Sequence, residues 1–381
     1  MKPIRVLHVV GGMNMGGVET WLMHLVRHID RNKFLMDFLV HTQQPCIYDE
    51  ELRDMGSKII PCIAPSKPWR YAINFRRILK KYGPYDIIHS HVHHYSGFVL
   101  CLARLAGIPV RIAHSHNDTS MNDENANIIR KAYLRLMEYL IRKESTNGIA
   151  CSRKAAISLY GADWQNNPKW QLLYCGIDLE PFKQVVDCSK IRSEFGIPED
   201  ALVIGHVGRF NEQKNHDFLI DIAFELEKRK PGMRLILIGD GLLRTEIADK
   251  AATMGLKDKV VFAGLRPDVP RLMKGVMDVF VFPSLYEGLG LVLLEAQAAK
   301  LPCVISNVIP DEVDVVKNLI TRINLTEGPC RWADTILNIG NCINEEKNLK
   351  SVHNMEKTHF DIDYSSNSIQ RLYGKSIFHH T

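Results

Sequence analysis

Short blocks of consecutive apolar residues recur along the chain, and between them the apolar positions fall three and four apart. Residues 4–10 (IRVLHVV) read as a buried strand. Residues 18–29 then carry Val18, Trp21, Leu22, Leu25, Val26 and Ile29 at helical spacing. Further strand blocks lie at 34–42, 58–63, 86–91 and 110–116, with helical patterns such as FRRILKKY and GFVLCLARLAG between them. The pattern restarts at 201–209 (ALVIGHVGR), and strand blocks follow at 234–241, 259–264, 278–284 and 302–307. Helices are expected between these at about 214–230, 241–254, 267–275 and 291–300. Strand and helix alternate throughout, which predicts parallel sheets covered by helices. Two doubly wound halves follow, one over 1–172 and one over 173–360, with a tail over 361–381. The Gly- and Pro-marked segment YCGIDLEPF (174–182) is the hinge.

A chain of 381 residues suits two domains, and its 46% hydrophobic and 24% charged residues are an ordinary globular balance. The net charge of +5 is too weak to argue for nucleic acid as a partner. Nine cysteines without a CxxC pair suggest neither a disulfide framework nor a structural zinc site. No apolar run reaches membrane-spanning length, and MKPIRVLHVVGG lacks a signal-peptide pattern, so a soluble cytoplasmic protein is expected.

Candidate chemistry gathers where strands end. GGMNMGGVETW (11–21) follows a strand and opens a helix. Its Gly16 and Gly17 suit close backbone approach to a phosphate or a sugar, or simply a tight turn. The spacing does not fit GxGxxG, which disfavours a dinucleotide-dependent dehydrogenase. HVGRFNEQKN (206–215) places Gly208, Arg209 and Lys214 at another strand end, where ligands bind in open parallel sheets. SLYEGLGLVLLEAQ (284–297) puts Glu287 in a loop and Glu295 one turn into a helix. Gly288 and Gly290 mark the turn, and the Leu291 and Val292 amides open the helix. Two carboxylates also suit a glycosidase pair, but the neighbouring cations and helix start favour a phosphorylated ligand. HSHVHH (89–94) and HSHND (114–118) bring six histidines to two strand ends; no carboxylate partner is evident, and the spacing fits no standard zinc pattern.

The stretches HVGRFNEQKN, LIGDG and PSLYEGLGLVLLEAQAAKLPCV, with GGMNMGGVE and YCGIDLEPF, resemble glycosyltransferase family 4 over nearly the whole chain. That resemblance implies the GT-B architecture, with two Rossmann-like domains facing across a cleft, and a retaining, nucleotide-sugar-dependent glycosyl transfer. It implies that Arg209 and Lys214 hold the donor diphosphate, capped by the Leu291 and Val292 amides. Glu295 would bind the ribose hydroxyls, and Glu287 the transferred sugar. Gly208, Gly16 and Gly17 would lie near the diphosphate, and His116, or His114 one register away, near the reacting sugar. Gly239 and Gly241 would shape the nucleotide crevice, with Arg266 and Pro267 in the base-binding loop. Glu287, His116, Arg209 and Lys214 are the catalytic candidates. The nucleotide sugar is a substrate, UDP being the expected nucleotide on family frequency, and no cofactor or metal is expected. Asp361 and Asp363 form a DxD in the tail, away from the phosphate groups, and are set aside.

The chain departs from the family at Cys175-Gly176, at Leu289, in AQAAKLP after Glu295 and in IPDEV (309–313), which touches donor contacts more than reaction class. The expected acceptor is a glycan hydroxyl, lipid-linked, in exopolysaccharide, capsule or lipopolysaccharide assembly. Two basic amphipathic segments, 67–82 and 128–143, suit an anionic inner-membrane surface, or are ordinary domain helices with solvated faces. An epimerase or hydrolase on the same fold, and a non-catalytic nucleotide-sugar-binding partner, are the alternatives.

Overall fold

The computed structural model describes residues 2–120, 123, 126–340, 355–356 and 358–378. The chain divides into two compact units, Met1–Gly176 with Ile362–Thr381, and Ile177–Asp361. The division falls inside the 174–182 segment, four residues after the expected boundary.

The first unit is built on a seven-stranded parallel sheet of order β3-β2-β1-β4-β5-β6-β7. Its strands are β1 (Ile4–Val10), β2 (Phe34–Val40), β3 (Ile59–Pro61), β4 (Ile87–Ser90), β5 (Val110–Ser115), β6 (Asn147–Ala150) and β7 (Trp170–Leu172). The order reverses between β1 and β4, the position where doubly wound sheets place ligands at the strands' carboxyl ends. β1 and β4 pair so that His8 sits opposite His89. The C-terminal helix Ile362–Phe378 belongs to this unit: Trp21 Nε1 donates to Ser365 Oγ at 3.1 Å, and the Tyr373 hydroxyl lies 2.7 Å from His89 Nδ1.

The second unit holds a six-stranded parallel sheet of order β10-β9-β8-β11-β12-β13. Here the strands are β8 (Val203–Val207), β9 (Arg234–Ile238), β10 (Val260–Gly264), β11 (Val279–Phe282), β12 (Cys303–Ser306) and β13 (Ile320–Ile323). The apolar blocks form these strands because both faces of each sheet are covered by helices. Val203, Leu235, Leu237, Val279, Val281 and Val304 are fully buried. The sheet reverses between β8 and β11, and the loops after those two strands carry Arg209, Lys214 and Glu287.

Both basic segments are helices, Pro68–Tyr82 and Ile128–Glu144. The apolar stripe of the first, Tyr71, Phe75, Ile78 and Leu79, is buried in the domain. For these four residues this is the ordinary domain helix of the two alternatives. The exposed apolar residues are others: Trp69 and Ile73 on the first helix, and Ile128, Ile129, Leu136 and Tyr139 on the second. No helix among the described residues is long and apolar enough to cross a membrane.

Candidate functional site

In the second unit, β8 ends at Val207 and the chain makes a short 3₁₀ turn, Glu212–Lys214, before the helix His216–Arg229. Asn215, in the left-handed region at φ 55°, joins the two. Across the sheet reversal, β11 runs into the loop of Glu287, and Gly290, at φ 88°, opens the helix Leu291–Ala298. The positive φ requires glycine there. Three hydrogen bonds clamp the two loops together. Leu285 N donates to Gln213 O at 2.8 Å, Gln213 Nε2 to Tyr286 O at 2.9 Å, and Asn215 Nδ2 to Pro283 O at 3.1 Å.

The clamp sets Lys214 against Glu287. Lys214 Nζ donates to Glu287 Oε1 at 2.5 Å and lies 4.6 Å from the centroid of the Phe282 ring. Glu287 is 6% exposed, so the pair is largely withdrawn from water. Arg209 is exposed and has no ion pair among the described residues. The helix start leaves the first amides, at Leu291 and Val292, without intrahelical acceptors. Glu295 is half-buried one turn further on. Burial pushes its carboxyl up from 4.5 to about 7.

The glycines around these loops have distinct reasons. A Cβ on Gly239 (φ 138°) would stand 2.1 Å from the Gly208 carbonyl oxygen, and one on Gly241 2.5 Å from that of Phe210. The 239–241 turn therefore packs backbone to backbone on the 208–210 turn. A Cβ on Gly208 would press the stem of Lys214, at 3.1–3.2 Å. Arg266 is held by its neighbour: Nε and Nη2 each donate to an Asp268 carboxylate oxygen at 2.8 Å. Pro267 lies between them. The divergent stretch after β12 is anchored by Gln297, whose Nε2 donates to Val313 O and whose Oε1 accepts from Val316 N.

In the first unit, Gly16 caps the helix Gly17–His28 with extended backbone, and its carbonyl accepts from Thr20 N. His116 does not stand alone. Its Nε2 pairs with His91 Nδ1 at 2.8 Å, and His91 Nε2 pairs with His8 Nδ1 at 2.9 Å. His114 Nδ1 pairs with His89 Nε2 at 3.1 Å. Five imidazoles thus pack into one cluster beside Trp21, with His114 and His116 ring centroids 3.8 Å apart. Burial holds all five neutral, His8 and His116 down to about 3. For His89, His91 and His114, neighbouring imidazoles add to the effect. His93 and His94 form a separate group, and Asp123 supplies it with a carboxylate: His94 Nε2 lies 3.0 Å from Asp123 Oδ2.

Sequence reasoning missed Gln213 and Asn215, which hold the Lys214–Glu287 pair together, and His8, which completes the imidazole cluster. A left-handed Asn ahead of a helix is the one local signal that could have singled out Asn215. His8 has no local signal, since only the β1–β4 register brings it to His89.

Residues 15–181 match the family model described as Glycosyltransferase Family 4, and residues 187–356 the one described as Glycosyl transferases group 1. The chain is 42% identical to "Putative glycosyltransferase EpsF" of Bacillus subtilis (strain 168), over 87% of this chain and 86% of that one. It is 28% identical to the UDP-Gal:alpha-D-GlcNAc-diphosphoundecaprenol alpha-1,3-galactosyltransferase of Escherichia coli, over 64% and 62% of the two chains. Among solved structures it resembles Anabaena Alr3699/HepE in complex with UDP-glucose, with TM-score 0.78, 20% identity, and coverage of 98% of this chain and 100% of that one. At that identity the likeness is one of fold, and it gives the two parallel-sheet units the GT-B architecture. With matching models over both units and a close relative spanning most of its length, the chain belongs to the group 1 and family 4 glycosyltransferases.

Proposed function

We propose that this chain is a retaining glycosyltransferase that moves a hexosyl or N-acetylhexosaminyl group from a UDP-sugar to a hydroxyl of a lipid-linked glycan in surface polysaccharide assembly. The observation that carries the donor half is the convergence of exposed Arg209, the Lys214–Glu287 pair and the first amides of the Leu291–Ala298 helix at one sheet reversal. Cations and free amides at that position suit a diphosphate. Glu295 accepts the ribose hydroxyls as a carboxylate. Glu287 contacts hydroxyls of the transferred sugar while steering Lys214. Gly208, Gly239, Gly241, Gly288 and Gly290 keep the backbone close to the nucleotide, and Arg266 and Pro267 border the base. In the first unit, the resemblance assigns Gly16 and Gly17 to the diphosphate and His116 to the reacting sugar.

In the transfer, the bond from the anomeric carbon to the diphosphate oxygen breaks, and a bond to the acceptor oxygen forms on the same face. The acceptor proton goes to the departing diphosphate. Arg209, Lys214 and the helix amides stabilise the charge that develops there, and the transfer as proposed uses no metal ion or cofactor.

UDP and the lipid-linked acceptor rest on the names of relatives, one of which is a UDP-galactose-dependent enzyme acting on a diphosphoundecaprenol. A cytoplasmic protein docking on the inner leaflet fits the exposed Trp69, Ile73, Ile128 and Ile129, which lie on helices rich in Lys and Arg. The test is transfer from radiolabelled UDP-sugars to a lipid-diphosphate-linked sugar, with the product's anomeric configuration read by proton NMR. An α-linked product from an α-configured donor is expected. Inversion, or donor turnover to free sugar or an epimer without acceptor, would contradict the proposal. Co-sedimentation with anionic vesicles should fall when Arg76, Arg77, Lys80 and Lys81 are reversed to Glu; unchanged binding would contradict the docking.

A further inference from the structure

The imidazole cluster of the first unit has more donor capacity than hydrogen bonding consumes. One ring nitrogen each of His91, His114 and His116 lies within 4.8 Å of the other two. His114 is fully buried and spends Nδ1 on His89, leaving Nε2 with no partner. A buried polar nitrogen left unpaired costs about 1–3 kcal/mol, so such an atom asks for an explanation. His91 Nδ1 and His116 Nε2 face each other at 2.8 Å with one proton between them.

We propose that His91 Nδ1, His114 Nε2 and His116 Nε2 form a binding site for a divalent transition-metal ion of the zinc class, with a fourth position open to water. The ion displaces the proton between His91 and His116, which moves to His116 Nδ1 facing Cys175 Sγ so that both rings stay neutral, and it gives His114 Nε2 the partner it lacks. Three imidazoles with an open position are an established zinc donor set. At zinc–nitrogen distances of about 2.0–2.1 Å, tetrahedral ligands stand about 3.3 Å apart. The His91–His116 pair therefore opens by about half an ångström, and His114 closes in.

The outer nitrogens are already arranged for this. Ligating histidines hold their second nitrogen in a hydrogen bond that fixes the ring. Here His91 Nε2 is held by His8 at 2.9 Å and His114 Nδ1 by His89 at 3.1 Å, while Cys175 Sγ lies 3.8 Å from His116 Nδ1. His89 is steadied in turn by Tyr373. His91 and His116 keep part of their surface exposed, which leaves an entry path. An ion seated here occupies His116, the residue proposed to serve the reacting sugar, so occupancy and transfer compete. That consequence rests on the proposed function, whereas the binding itself does not.

The test uses tag-free, chelator-stripped full-length protein titrated with Co²⁺ and, separately, loaded with one equivalent of Zn²⁺. The expected results are the intense visible absorption of four-coordinate Co²⁺ saturating at one ion per chain, and an X-ray absorption shell around zinc of three imidazoles and one lighter ligand. The wild-type zinc spectrum needs no variant to fold. His91→Gln and His114→Gln, each checked for an unchanged far-ultraviolet spectrum, should lose the absorption, and His93→Gln should keep it. Six-coordinate Co²⁺, fewer than three imidazoles around zinc, or loss of binding in His93→Gln alone would overturn the proposal; the last would place the ion at His93, His94 and Asp123.

Discussion

Glu295 makes the sharpest prediction, because the burial proposed to serve ribose binding also costs stability. Its carboxyl is pushed from 4.5 to about 7 by burial, so the folded chain holds a proton that the unfolded chain releases. Below about pH 4.5 both states are protonated and the group costs nothing. Above about pH 7 both are ionised and the full cost is present. Stability is therefore lost as pH rises between these values, the reverse of a salt-bridged carboxylate. At 1.36 kcal/mol per pKa unit the ceiling is about 3 kcal/mol, and residual exposure of the side chain brings it nearer about 1.5–3 kcal/mol. Glu295→Gln keeps the shape and removes the ionisation. At pH 8 it should raise the melting temperature of the 177–361 unit by roughly 3–12 °C, taking 2–4 °C per kcal/mol for a unit of this size. The gain should shrink as pH falls and vanish near pH 4.5. In the same variant the stabilisation by a nucleotide sugar should be lost. Differential scanning calorimetry across pH, with and without donor, reads both. A variant no more stable than wild type at pH 8, or a gain that does not narrow with acid, would refute the reasoning.

The other outcomes divide by mechanism. Arg209→Ala should leave stability within about 0.5 kcal/mol, because the residue is exposed and without an ion pair among the described residues. Its donor affinity should fall about 10–100-fold by calorimetric titration, the scale of one charge-assisted hydrogen bond. Lys214→Met leaves Glu287 buried without its cation and should destabilise by about 3 kcal/mol. Adding Glu287→Gln should recover part of that loss in a denaturation cycle, and strict additivity would count against the pairing. Gly239→Ala should destabilise the second unit by about 2 kcal/mol or more, since the methyl meets the Gly208 carbonyl at 2.1 Å and φ stays positive; an unchanged melting temperature would contradict that packing.

The long apolar blocks made much of the fold legible. β1, β2, β8, β9 and β11 lie where their apolar blocks placed them, because strands covered on both faces are apolar over most of their length, and isolated polar positions such as His8, Asp37 and His206 are buried with them. Three strands escaped notice. Asn147–Ala150, Trp170–Leu172 and Ile320–Ile323 are three or four residues long, and polar or glycine positions interrupt them. Their pairing is decided by the neighbouring strand and not by their own pattern. The chemistry at each strand end was legible residue by residue, since Arg209, Lys214, Glu287 and Glu295 carry their charge in local motifs. The relations between them were not. Lys214 and Glu287 are 73 positions apart, and their pairing follows from the loop clamp through Gln213 and Asn215. The histidine clusters show the same limit. Spacing along the chain fits no metal pattern, yet the β1–β4–β5 order stacks five imidazoles, and Asp123 comes to His94 from 29 positions away.

The central claim is that the second unit binds a nucleotide sugar through Arg209, Lys214, Glu295 and the amides of Leu291 and Val292. Its most direct test is the melting temperature of the full-length protein against UDP-, GDP-, ADP- and TDP-sugars, with Arg209→Ala and Glu295→Ala alongside. Binding to the folded state raises the transition by mass action. The account predicts a shift with UDP-sugars that both variants abolish. A shift that survives in both variants would contradict it, as would the absence of a shift with every donor while acceptor is present.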